Sequence, residues 1–255
     1  MTLWTLHHGD ALEVLATLHD ASVDLVVTDP PYGISQPGVT HIRPPGRGSR
    51  RFDLLAGDDD WRAVTLGVVV PAVRETCRVL TATGSAYWWL GFRQIGPVCD
   101  ALDEGGFRTR MLGWHKPHPP PAPPGSGWPS ALEVCIYAHR PGRHFDPAFG
   151  YGSNVFTSDT YRNGMPGKVN HPTQKPLAVL RPLICASSRP GDLVLDPFAG
   201  SGSVGVAALL EGRRYVGVER EARYMEIARG RLQEAEGGVA RLPHPQQVRL
   251  FGAPA

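Results

Sequence analysis

Short runs of β-branched and other apolar residues recur at positions 3–7, 23–28, 85–90, 108–114, 132–138, 193–195 and 215–218, so seven strands are expected. Between them, apolar positions spaced three and four apart predict helices over 11–18, 61–80 (interrupted at Pro71), 94–104, 177–188, 204–211 and 223–234. Strands alternating with helices predict an α/β fold, a mostly parallel sheet covered on both faces. Ligands of such sheets sit beyond the carboxyl ends of the strands, which directs attention to residues just after each strand. Two stretches escape the pattern. Residues 33–60 are rich in Gly, Pro and Arg, and residues 116–130 (KPHPPPAPPGSGWPS) hold too many prolines for a helix or a central strand, so both are expected to leave the sheet. Periodicity fades after Gly237, where a partly disordered tail is expected.

Composition narrows this picture only a little. The 255 residues suit one catalytic domain spanning 1–255, and 42% hydrophobic with 20% charged residues excludes a disordered or membrane-like chain. Thirty glycines and 25 prolines imply long irregular loops, where substrate contacts are expected. A net charge of +2 is too mild to identify a polyanionic partner. Cys77, Cys99, Cys135 and Cys185 form no C-x-x-C pair, and His115 with His118 lacks a third ligand, so no metal is expected. With no apolar run of membrane length and no signal-like N-terminus, the expected setting is the cytoplasm, with no membrane partner.

The segment LVLDPFAGSGSVGVAALLEGRRYVGVERE reads as strand, acidic turn, glycine-rich loop, helix, strand and acid, a nucleotide-binding order. Gly200, Gly202 and Gly205 allow close backbone approach, and the helix that follows directs its free N–H groups at a ligand. Glu219 ends the next strand and suits the two hydroxyls of a ribose. A nicotinamide enzyme fits those features too. Asp196 discriminates, since a carboxylate before the loop repels a pyrophosphate but attracts the ammonium of a methionine moiety, as in S-adenosylmethionine.

The run VDLVVTDPPYG ends a buried-type strand in Asp29, Pro30, Pro31 and Tyr32, a corner stiffened by two fixed φ angles. An exocyclic amino nitrogen is a poor nucleophile because its lone pair is delocalised, so a catalyst must accept hydrogen bonds from its hydrogens. The Asp29 carboxylate and the Pro30 carbonyl are candidates for that task. A base in a duplex reaches such a pocket only by flipping out, and Tyr32 offers a stacking platform.

Together these segments resemble the amino-methylating DNA methyltransferases of the beta order, in which a DPPY motif precedes the cofactor motif, as Asp29 to Tyr32 precede Asp196 to Gly202 here. The resemblance implies a seven-strand, Rossmann-like methyltransferase sheet, S-adenosyl-L-methionine as cofactor and methylation of N6 of adenine, with N4 of cytosine as the alternative. An aspartate at the first motif position leans toward adenine. His8 to Leu12 resembles the segment that meets the cofactor adenine, which implies Asp10 and Ala11. His171 to Pro176 resembles the segment at its methionine end, which implies Thr173 and Lys175. Asp196, Pro197, Phe198, Ala199, Gly200, Ser201 and Gly202 match the cofactor loop. Residues 116–170 fall where the family reads its target sequence, and double-stranded DNA is the implied partner, with a homodimer as a further way to extend the contact surface. Arg43, Arg47, Arg50 and Arg51, in the loop 33–60, and Lys116 are candidates for DNA contact. A non-catalytic DNA-binding module remains an alternative that explains the arginines but not a complete cofactor site.

Overall fold

The computed structural model describes residues 2–33, 60–122, 127–149, 153–161, 164–171 and 173–238. Its sheet contains β1 (Trp4–His8), β2 (Val23–Thr28), β3 (Leu80–Leu90), β4 (Arg108–His115), β5 (Leu132–His139), β6 (Val155–Thr157), β7 (Leu193–Asp196) and β8 (Arg214–Glu219), in the order β1-β8-β7-β2-β3-β5-β4-β6. The seven predicted strands are all present, and β6 adds a short eighth at one edge. Only the pairings of β5 with β3 and β4 are antiparallel, so the sheet is mostly parallel.

The helices are α1 (Ala11–Thr17), α2 (Asp60–Val64), α3 (Val70–Val79), α4 (Ile95–Glu104), α5 (Leu177–Ser187), α6 (Ser203–Leu210) and α7 (Ala222–Gly237). The helix expected over 61–80 is not uniform. A π-helical turn, Thr65–Val69, joins α2 to α3, with the Val70 N–H donating to the Thr65 carbonyl. Pro71 supplies no N–H and its ring crowds the carbonyl four residues back, and a widened turn absorbs both problems without ending the helix.

Successive strand residues point to opposite faces, so an apolar run serves two cores at once. Val26, Trp88, Ile136 and Leu195 pack with Leu15, Val73 and Leu102 on one face. Leu25, Val27, Tyr87, Trp89 and Val194 pack with Leu180, Ile184 and Leu209 on the other. Gly205 is needed for the second layer, since a Cβ there would lie 2.5 Å from the Tyr215 ring and 2.6 Å from Leu232. Among the described residues no helix is long and apolar enough to cross a membrane.

The strand order reverses between β7 and β2, which run parallel to each other. From β2 the chain goes on to β3 on one side, and from β7 it goes on to β8 on the other, leaving a crevice beyond their carboxyl ends. Asp29 follows β2 and Asp196 ends β7, so the fold delivers both predicted acids to this crevice.

Candidate active site

The residue before Asp29 bonds directly to Asp196. Thr28 Oγ1 donates to Asp196 Oδ1 at 2.7 Å across 168 positions of sequence, and the Phe198 N–H donates to the same oxygen at 3.1 Å. Burial pushes the Asp196 carboxyl up to about 7, the nearby Asp29 and Glu219 charges add to this, and the two hydrogen bonds restrain it. The loop after it carries Gly200 at φ 53° and Gly202 at φ 74°, left-handed conformations that glycine tolerates. A Cβ on Gly202 would also meet Ala228 at 3.0 Å. The Gly200 N–H donates to Glu219 Oε2 at 2.8 Å and the Glu221 N–H to Oε1 at 2.7 Å, so Glu219 faces the loop. From α7, Arg231 donates to the Ser201 carbonyl at 2.6 Å and to Ser203 Oγ at 3.0 Å, clamping the loop from behind. Pro197, Ala199 and Ser201 are buried within it.

This loop suits a cofactor with an ammonium and a ribose. Two carboxylates, Asp196 and Glu219, face it without a lysine or arginine hydrogen-bonded to either among the described residues. Strand β1 runs beside β8 with His8 opposite Glu219, which brings Asp10 and Ala11 to the same edge. Asp10 caps α1, its carboxylate accepting the Leu12 N–H at 2.9 Å, and Ala11 is buried.

At the Pro-Pro-Tyr corner the geometry is denser than the sequence suggested. Asp29 Oδ1 accepts the Tyr32 hydroxyl at 2.6 Å, while Oδ2 accepts the Lys175 ammonium at 2.5 Å. Lys175 is buried, also meets Glu133 Oε2 at 3.1 Å, and stands 5.4 Å from the Trp89 ring centre and 5.8 Å from that of Tyr32. Glu133 completes the series by accepting from Lys116 Nζ at 2.7 Å. Burial alone would lower the Lys175 pKa, but Asp29 and Glu133 outweigh it and hold the lysine charged. Burial raises Glu133, and Lys175 with Lys116 more than reverses this. Burial raises Asp29, with Lys175 pulling the other way. Pro30 is buried, and Gln94 anchors the corner by donating to the Pro31 carbonyl at 3.0 Å.

The other candidate residues have varied surroundings. Lys175, implied by resemblance to meet the cofactor, holds the Asp29 carboxylate, while Thr173 is exposed. Lys116, a candidate DNA contact, is turned inward, 4% exposed, bonded to Glu133 and 5.2 Å from the Trp114 ring; a buried ammonium needs a counter-charge, and Glu133 is that charge. Arg43, Arg47, Arg50 and Arg51 lie outside the described residues. Glu133 and Gln94 were missed. The one signal for Glu133 was an acid in the otherwise apolar run LEVCIYA.

Comparison with known proteins follows the same lines. A family model described as DNA methylase, of the N6/N4 kind, matches residues 23–230. The type II methyltransferase M.HinfI of Haemophilus influenzae is 30% identical over 97% of this chain and 71% of its own length. The Thermus thermophilus protein TTHA0409, solved in complex with S-adenosyl-L-methionine, is 26% identical with a TM-score of 0.66, covering 91% of this chain and 94% of that one. The cytosine-N4-specific PvuII DNA methyltransferase shares the fold, with a TM-score of 0.72 at 16% identity over 94% of this chain and 93% of that one.

Proposed function

Because this chain belongs to the N6/N4 DNA methylase family and is an amino-methylating DNA methyltransferase, we propose that it methylates N6 of a flipped adenine in double-stranded DNA, with Asp29 as the acceptor that activates the amino group. The observation that carries this reading is the Asp29 carboxylate, held between a hydroxyl and an ammonium at the switch point of the sheet and joined through Thr28 and Asp196 to the glycine loop. S-adenosyl-L-methionine supplies an electrophilic methyl group on a sulfonium; Asp196 would hold its ammonium, Glu219 its ribose, and Asp10 with Ala11 its adenine edge.

The protein's own work is positioning and charge. The amino group of the target donates to Asp29 and the Pro30 carbonyl, which localises the nitrogen lone pair toward the methyl. Each Asp29 oxygen already accepts one hydrogen bond but has a second lone pair to offer. Positive charge developing on the nitrogen faces the carboxylate, and the surplus proton leaves through the acceptor it was bonded to. Tyr32, its hydroxyl fixed by Asp29, gives a ring for the base to stack on. The aspartate at the head of the motif supports adenine over cytosine. A homodimer and a cytoplasmic location belong to the same reading. Sequencing that reports modified bases, on DNA from cells expressing the chain, tests it: N6-methyladenine at one recurring sequence is expected, whereas N4-methylcytosine would reverse the base assignment and unmodified DNA would refute the activity.

Two further results are expected. Glu219→Ala should weaken cofactor binding by roughly 1.5–3 kcal/mol, the worth of hydrogen bonds to a charged group, measured by calorimetry; wild-type affinity would move the ribose elsewhere. The second concerns pH. A cationic ammonium binds the ionised form of Asp196, which in the free protein titrates at about 7. Affinity for S-adenosylhomocysteine, which keeps that ammonium, should therefore be level above this pH and fall below it, approaching about tenfold per unit. His171, whose burial among cations lowers its pKa to about 4, titrates outside this window. An equally steep fall in Asp196→Asn would assign the effect to another group.

A further inference from the structure

We propose that Phe92 enters the DNA stack at the place the target base vacates, so that the turn after β3 opens the duplex while the Pro-Pro-Tyr corner receives the base. The inference rests on the DNA-methylating reading above and adds to it the element that meets the helix.

Phe92 is 79% exposed and belongs to none of the hydrophobic clusters of the core. Its place is set by the sheet. Strands β2 and β3 run parallel with Thr28 opposite Trp88, so the segments leaving them rise side by side from the same edge. A Cβ on Gly91 would lie 3.5 Å from the Tyr32 Cβ, which confirms that the turn and the catalytic corner touch. Gln94, 1% exposed, locks the two together: its Oε1 accepts the Gly91 N–H at 3.2 Å and its Nε2 donates to the Pro31 carbonyl at 3.0 Å. The Arg93 guanidinium lies 5.6 Å from the Phe92 ring centre and 5.5 Å from that of Trp61, placing positive charge beside the exposed ring.

An exposed aromatic on a turn this tightly fastened is poorly suited to a mobile lid and well suited to a wedge. Removing a base from a duplex leaves an apolar gap between its former neighbours, and proteins that unstack DNA fill such gaps with rigid apolar side chains. The duplex is the partner that fits, because the exposed ring adjoins the pocket that must receive a base from that duplex.

The test uses the full chain and oligonucleotide duplexes carrying the sequence found by modified-base sequencing, paired normally or with a mismatch opposite the target base. A mismatch weakens the pair in advance and reduces the need for a wedge. Phe92→Ala should lower the single-turnover rate about tenfold or more on the matched duplex and less than about threefold on the mismatched one, while Phe92→Trp keeps most of the rate. With 2-aminopurine at the target position, Phe92→Ala should lose most of the fluorescence rise seen with the wild-type protein. Equal loss on the two duplexes would show a structural role and overturn the proposal, as would wild-type rates on both. Wild-type protein inactive on both duplexes would instead refute the reading on which the proposal rests.

Discussion

Asp29→Asn is expected to slow single-turnover methylation by about a hundredfold or more at saturating cofactor, with DNA affinity little changed. The amide keeps one acceptor oxygen but removes the charge that faces the developing positive nitrogen. It also disturbs the surroundings in a predictable way. Lys175 would lose one of its two carboxylates and keep Glu133, so the lysine stays paired and the corner stays folded. The effect should therefore appear in the chemical step. Near-normal turnover would mean that Asp29 serves only to hold Lys175 and Tyr32 in place, and the catalytic assignment would fail.

Lys175→Met should affect stability as well as activity. The ammonium is 6% exposed and stands between two carboxylates, one 2.5 Å and the other 3.1 Å away. Methionine fills the volume and leaves those acids facing each other in a buried place. Breaking a buried pair from one side costs about 3–5 kcal/mol, which urea unfolding would register. One carboxyl would take up a proton to relieve the repulsion, and the acid limb of the pH–rate profile should then move to higher pH, since activity needs Asp29 ionised. Unchanged stability with an unchanged profile would show the lysine to be dispensable. If the variant does not fold, Lys175→Arg keeps a cation between the two acids; a smaller loss in stability and an acid limb close to the wild-type pH are then expected.

The strand that carries the Pro-Pro-Tyr corner was legible to the residue because it is apolar on both faces: its two polar residues do not break the pattern, since Asp24 accepts the Leu193 N–H and the Thr28 hydroxyl has its own partner in Asp196. Strand β3 begins at Leu80, earlier than expected, because its first residues pair past a register shift between Val23 and Leu25 that no periodicity announces. Strand β6, three residues long, is too short to give a pattern. At the site, the acids that end strands were readable, since strand ends are where this architecture puts its chemistry. The ion-pair series was not. Lys175 meets Asp29 from 146 positions away, a contact made by the topology of the sheet and not by any local spacing. The burial of Lys116 was hidden for the same reason: a lysine after a strand in a polar, proline-rich stretch looks exposed until its side chain proves to reach back to an acid on the facing strand, two residues past the one opposite it.

The neck of that proline-rich stretch is fastened to the sheet whatever the stretch itself contains. The Lys116 N–H donates to the Ala131 carbonyl at 2.8 Å, and the Lys116 ammonium is bonded to Glu133, so the chain departs and returns at adjoining points that are tied twice. Whatever lies between is anchored independently of its own sequence. Lengthening such a loop changes its closure entropy by only about 0.6 kcal/mol per doubling. The stretch is therefore built as a cassette: a different segment grafted between Lys116 and Ala131 should leave the sheet intact, provided the lysine and glutamate at the splice points are kept.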